Sequence, residues 1–184
     1  MILLHGLGSD EQDMAGIAEL IDPRIEVICL RAPQSYGPGY AWFDIQWTPT
    51  GIRISEDEYW ESVGSLAHEL LLTARQEKLI LGGFSQGGMM SLGVLTKFPK
   101  LADAVVILSG RRIDSPMPNF EGAVFQGHGV HDEVISISDA RNLNAQLSHF
   151  GERYEYHEYA MGHSICDEEL SDLNQWIAKF LNVK

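Results

Sequence analysis

Short, almost wholly apolar runs alternate along this chain with longer stretches in which apolar residues recur every three or four positions. The runs are Ile2-Leu3-Leu4-His5, Ile25 to Leu30, Leu79-Ile80-Leu81, Ala104 to Leu108, Gly122 to Gly127 and Tyr154 to Tyr159. Runs so short and so apolar predict parallel strands covered on both faces. The last one alternates more than the others, as an edge strand does. The helical stretches carry end signals. Ser9 or Asp10 can cap a first helix with Met14, Ile17, Ala18 and Ile21 at helical spacing, and Asp22-Pro23 ends it. Ser55-Glu56-Asp57-Glu58 reads as a capping box opening a helix with Tyr59, Val63, Leu66, Ala67, Leu70 and Leu71 on one stripe. A helix from Met89 stops at Phe98-Pro99. Ser136 caps another, with Ala140, Leu143, Leu147 and Phe150 facing in and Gly151 closing it. The final helix carries Leu170, Leu173, Ile177, Phe180 and Leu181. Strand and helix alternate throughout, without repeats or linkers. The prediction is one α/β domain over residues 1–184, a mostly parallel sheet of about six strands with helices on both faces.

Two connections stand outside this rhythm. Residues 32–54 form a long segment rich in Pro, Gly and rings (Tyr36, Tyr40, Trp42, Phe43, Trp47), expected to have no secondary structure of its own. Its rings either plug the ends of the core or form an apolar wall beside a site. Trp42 and Phe43, with Met89, are the candidate substrate contacts. Residues 110–120 read as a plain loop, too short for a cap domain.

Composition narrows the classes. The 184 residues suffice for a full core, and 45% apolar with 21% charged residues is ordinary for a soluble protein. No apolar run approaches the roughly 20 residues of a membrane helix, so stable membrane insertion is not expected. A net charge of −13 argues against nucleic acid or anionic membrane as a standing partner. Cys29 and Cys166 build no disulfide framework and match no metal spacing, and no signal peptide is evident, so the expected setting is cytoplasmic.

The chemistry concentrates in loops at the carboxyl ends of predicted strands, where ligands bind in open α/β sheets. Gly83-Phe84-Ser85-Gln86-Gly87 is a G-x-S-x-G turn with a strand before it and a helix after it, the context of a nucleophile elbow. A serine hydroxyl needs a base, and the base needs an orienting acid. In the elbow fold the acid and then the histidine follow the serine in the chain. Asp132, after the fifth strand, and His163, after the sixth, fill those places. Glu133 and Asp139 are nearby acidic competitors. His68, His149 and His157 fall within helices or a strand, His128 and His131 belong to the acid's loop, and His5 is placed to bond backbone. A tetrahedral intermediate needs two backbone donors. The Gln86 N–H is one, and the Leu7 N–H, within Gly6-Leu7-Gly8, is the other unless those glycines are simply a turn.

Leu4-His5-Gly6-Leu7-Gly8, Ala41-Trp42-Phe43-Asp44, Gly83-Phe84-Ser85-Gln86-Gly87-Gly88, His128-Gly129-Val130-His131-Asp132 and Gly162-His163-Ser164 resemble, in order, the phospholipase/carboxylesterase family, small α/β-hydrolases that include acyl-protein thioesterases and bacterial carboxylesterases. The resemblance implies an α/β-hydrolase fold with Ser85, Asp132 and His163 as triad and the Leu7 and Gln86 amides as oxyanion hole. It implies hydrolysis of carboxylic ester or thioester bonds of a small molecule without metal or organic cofactor. The lack of room for a cap domain suggests an open, shallow groove suited to short to medium acyl chains, with acyl thioesterase or lysophospholipase activity as the alternative. The sequence departs from the family by lacking strands ahead of residues 2–5, so one sheet edge should be shorter and could pair in a homodimer. It also carries Val130-His131 and Glu133 where the family more often has small or acidic residues and then proline. An interaction module on the same scaffold is the competing class, although such modules usually lose a triad member.

Overall fold

A computed structural model describes residues 1–48, 51–73, 78–113 and 119–182. Six strands share one sheet: β1 (Ile2–Leu4), β2 (Ile28–Leu30), β7 (Ile80–Phe84), β8 (Ala104–Leu108), β9 (Ala123–Gly129) and β10 (Tyr154–Tyr159). Their spatial order is β10-β9-β8-β7-β1-β2, and every neighbouring pair is parallel. The chain lays β2 on one side of β1 and then returns to place β7 on the other. That reversal opens a crevice beyond the carboxyl ends of β1 and β7. The register aligns those ends: Leu4 pairs with Gly83, Phe84 with Leu108, and Gly129 with Tyr159.

Helices cover both faces, as the periodicity predicts. Helices α1 (Glu11–Ala18) and α5 (Asp167–Asn182) close one face, with Met14, Leu173, Trp176 and Ile177 against Leu3, Val106 and Phe125. Helices α2 (Glu56–Thr73), α3 (Gln86–Lys97) and α4 (Ile137–Leu147) close the other, with Val63, Leu70, Val94 and Leu143 against Leu4, Leu81, Val105 and Val124. No helix among the described residues is long and apolar enough to cross a membrane.

Four expectations change. The 32–54 connection is not structureless. It folds into two antiparallel hairpins, β3 (Gln34–Tyr36) with β4 (Gly39–Ala41) and β5 (Ile45–Thr48) with β6 (Gly51–Ile54). Gly37 turns the first at φ 56°, a conformation that only glycine adopts freely. Strand β2 is three residues long and half-exposed instead of covered on both faces, because it takes the sheet edge. The capping box is half made. The Ser55 hydroxyl accepts from the Glu58 N–H, but the Glu58 carboxylate turns away to accept from Asp44 N (2.9 Å) and Gln34 Nε2 (3.2 Å), pinning the connection to α2. Leu71 faces solvent, off the stripe that Tyr59, Val63, Leu66, Ala67 and Leu70 bury. Of the 110–120 loop, residues 114–118 lie outside the described residues.

Candidate active site

The turn from β7 into α3 holds Ser85 at φ 54°, a left-handed conformation that an L-residue keeps only where its surroundings dictate it. Those surroundings are backbone. A Cβ on Gly83 would overlap the Gly87 backbone, and one on Gly87 would overlap the Leu4 carbonyl. The glycines at these two positions therefore let strand, turn and helix interpenetrate. Ser85 N–H donates to Leu108 O (2.8 Å) and Ser85 O accepts from Met89 N–H (3.0 Å), so the residue is fixed from both sides.

His163 reaches Ser85 from the loop after β10. Its Nε2 lies 2.8 Å from Ser85 Oγ and its Nδ1 lies 2.7 Å from Asp132 Oδ2. An ionised carboxylate can only accept, so Nδ1 carries the proton and Nε2 offers its lone pair to the serine hydroxyl. Asp132 is immobilised in turn. Its Oδ1 accepts from the amides of Val134 and Ile135, both at 2.8 Å, an arrangement that folds the loop after β9 around the carboxylate. His128 Nε2–H donates to Ile135 O at 2.9 Å and lies 3.4 Å from Asp132 Oδ2. Phe84 packs on the His163 ring, with centroids 4.8 Å apart.

The two residues expected to supply the oxyanion donors both line the cavity beside this serine. Gln86 N–H opens α3, at the positive end of its helix dipole. Leu7 lies in the turn after β1, where Gly8 at φ 75° donates to Tyr40 O (2.8 Å) and Ser9 donates to Gly6 O (3.3 Å). No described residue accepts from the Leu7 or Gln86 N–H, so both remain available to a ligand.

Trp42 and Phe43 do not form the substrate wall. They are 3% and 0% exposed and belong to the core. The Gln86 side chain draws them in: its Oε1 accepts from Trp42 N–H (2.8 Å) and its Nε2 donates to Phe43 O (2.7 Å). Trp42 Nε1 then donates to His5 O at 2.9 Å, while His5 takes the Ala32 N–H on Nε2 (3.0 Å) and gives Nδ1–H to Gly6 O (2.7 Å). Trp42 and His5 thus brace the approach to the Leu7 turn, while the Phe43 ring packs edge-on against Tyr59.

The lining comes from one of the rings in the 32–54 connection, Trp47, and otherwise from aliphatic residues that aromatic content did not single out. A cavity of about 210 Å³ opens beside Ser85, Gln86 and His163. The β5–β6 hairpin lines it with Ile45, Trp47, Ile52 and Ile54, and Leu7, Met89, Val134, Ile135 and Arg111 complete the lining. Of the three expected contacts, Met89 alone lines the cavity. The alternation Ile45-x-Trp47 and Ile52-x-Ile54, a period of two on both arms of a hairpin, was the signal available in the sequence. Two larger hollows, of about 870 and 520 Å³, lie at the amino ends of the strands among Lys78, Lys100 and Asp103 and contain none of Ser85, Asp132 or His163. Size alone does not mark this site.

A family described as Phospholipase/Carboxylesterase matches residues 1–181. The acyl-protein thioesterase 1 of Kluyveromyces lactis is 31% identical over 100% of this chain and 92% of its own length. That of Saccharomyces cerevisiae is 27% identical over 99% of this chain and 92% of its own. Among solved structures, a carboxylesterase from Mesorhizobium loti superposes with a TM-score of 0.84 at 22% identity, covering 96% of this chain and 87% of that one. The Bacillus cereus carboxylesterase gives 0.84 at 20% identity, covering 97% and 87%.

Proposed function

This chain belongs to the phospholipase/carboxylesterase family of α/β-hydrolases and is a carboxylic ester hydrolase, and we propose that Ser85, His163 and Asp132 carry its reaction, with the Leu7 and Gln86 amides receiving the oxyanion. The observation behind this assignment is the single imidazole joined to Ser85 Oγ at 2.8 Å and to Asp132 Oδ2 at 2.7 Å. Ser85 Oγ attacks the ester carbonyl as its proton passes to His163 Nε2. The negative charge that develops on the carbonyl oxygen is met by the two free N–H groups. His163 returns the proton to the departing oxygen, leaving an acyl-enzyme. Water, deprotonated by the same nitrogen, releases the acid. Asp132 holds the imidazole in the tautomer this sequence requires and stabilises its charged form.

The apolar cavity of about 210 Å³ suits a short to medium acyl chain, packed against Ile45, Ile52, Ile54 and Met89. A thioester would pass through the same steps with a thiolate leaving. That second reading is favoured by the curated relatives, which are acyl-protein thioesterases. Turnover of 4-nitrophenyl acetate and butyrate by the native protein and by Ser85→Ala tests the assignment. The native enzyme should hydrolyse both and the variant neither, with a fluorophosphonate probe labelling only the native protein. Equal turnover by the variant removes Ser85 from the reaction.

A further inference from the structure

Arg111 does not fit a pocket built only to hold an acyl chain. It follows β8 and is half-buried, and among the described residues it is, apart from His163, the one ionisable side chain lining the cavity beside Ser85. No described residue gives its guanidinium a hydrogen bond or an ion pair, although the chain carries 26 acidic side chains to 13 basic ones. Its neighbour Arg112 behaves in the ordinary way, bonding the Gln146 side chain on α4. A partly dehydrated, unpaired cation against apolar walls is costly unless something charged completes it. The planar fork of a guanidinium is completed by a carboxylate or a phosphate, two oxygens at a time.

Position along the sheet says where that anion would lie. Leu7, Ser85 and Arg111 follow β1, β7 and β8, three adjacent strands. The serine is thus flanked by an oxyanion donor on one side and by the cation on the other. We propose that the natural substrate is an ester bearing an anionic group, carboxylate or phosphate, that Arg111 binds while the apolar part lies on the β5–β6 hairpin. Arg111 is then a specificity-determining residue. This extension rests on the esterase assignment above, but its test can be separated from it.

Matched ester pairs read the subsite by selectivity. With the anion in the acyl part, the pair is mono-4-nitrophenyl glutarate against 4-nitrophenyl pentanoate; with the anion in the leaving group, it is 3-(butyryloxy)benzoate against phenyl butyrate. The native enzyme should favour the anionic member of one pair, and Arg111→Gln should lower that kcat/KM ratio by about 10- to 100-fold, the scale of a charge-assisted hydrogen bond. Arg111→Lys should restore part of it. The pair that responds identifies which part of the ester carries the charge. A ratio unchanged by Arg111→Gln in both pairs overturns the proposal, whatever happens to the absolute rates. Binding without turnover provides the independent check: calorimetric titration of Ser85→Ala with glutarate and with inorganic phosphate, repeated in Ser85→Ala/Arg111→Gln. Affinity at least about tenfold weaker in the double variant for one anion supports the subsite and names its chemistry. Equal affinities, or none in either protein, sink it. Should the esterase assignment fail, Ser85 would escape the fluorophosphonate probe while this titration still gave its answer.

Discussion

Asp132 and Glu169 are both carboxyl groups hidden beside the carboxyl-terminal half of β9, and they are treated in opposite ways. The Asp132 carboxylate is enclosed by partners: two amides at 2.8 Å on Oδ1, and His163 at 2.7 Å on Oδ2 with His128 at 3.4 Å. Glu169, in the first turn of α5, is 0% exposed and neither of its oxygens has a hydrogen-bond partner. It fills the room left by the absent side chain of Gly127, beside the Tyr159 ring. Burial alone pushes its pKa up to about 8, so it is neutral at neutral pH. Of the titratable groups around it, the Tyr159 hydroxyl is engaged with Asp172 (3.1 Å) and the Cys166 thiol is itself pushed up by burial. Depth is therefore not what makes a carboxyl group useful. The fold supplied donors to one and withheld them from the other.

The largest expected effect comes from removing the charge where it is partnered. Asp132→Asn keeps an oxygen for the Val134 and Ile135 amides, so the loop should hold its shape. The amide cannot stabilise the imidazolium, and it competes to fix the wrong tautomer. In serine hydrolases of this logic such a change costs about 10⁴ in kcat. The measurement is kcat on 4-nitrophenyl butyrate beside a thermal melt. A loss of activity matched by a collapsed melting temperature would mean that Asp132 serves the fold more than the histidine.

The unpartnered carboxyl should give the reverse result. Because the folded-state pKa of Glu169 is raised from 4.5 to about 8, the native protein keeps a proton that the unfolded chain has released. The associated stability is full below about pH 4.5, falls as pH rises, and is spent by about pH 8, a loss of about 5 kcal/mol. Glu169→Gln cannot ionise, so its urea-unfolding free energy should stay nearly level across that window. It should exceed that of the native protein by several kcal/mol at pH 9, with ester turnover at pH 7 little changed. Parallel pH profiles for the two proteins would show that Glu169 finds partners or solvent after all.

The difference between these carboxyl groups also marks how far the sequence could be read. Ser85, Asp132 and His163 were legible because each follows the carboxyl end of an apolar run, and the elbow glycines act within five residues of the serine. Six parallel strands with helices on both faces were legible from the two periodicities. Glu169 was hidden inside Asp167-Glu168-Glu169, which reads as an acidic first turn placed against the helix dipole. Its period with Leu173, Trp176 and Phe180 puts it on the buried stripe, but the gap at Gly127 that receives it lies on another strand. Trp42 and Phe43 were misplaced for a similar reason. Their rings suit a wall as well as a core, and the choice is made by the Gln86 side chain, more than forty residues away in the chain.

The smallest expected effect tests whether Glu169 is held by space instead of by bonds. A Cβ on Gly127 would run into the end of the Glu169 side chain and approach Tyr159 Cε2 at 3.2 Å, so Gly127→Ala overpacks that contact. Such insertions cost about 1–3 kcal/mol when neighbours cannot yield. Shortening the acid with Glu169→Ala opens the room that the new methyl group needs. In a double-mutant cycle, Gly127→Ala should therefore destabilise the native background and be nearly neutral beside Glu169→Ala, a coupling of about 1 kcal/mol or more. Strict additivity would mean that the strain of Gly127→Ala falls on the strand or on Tyr159. Glu169 would then be buried for a reason other than the glycine opposite it, and the contrast with Asp132 would reduce to hydrogen bonding alone.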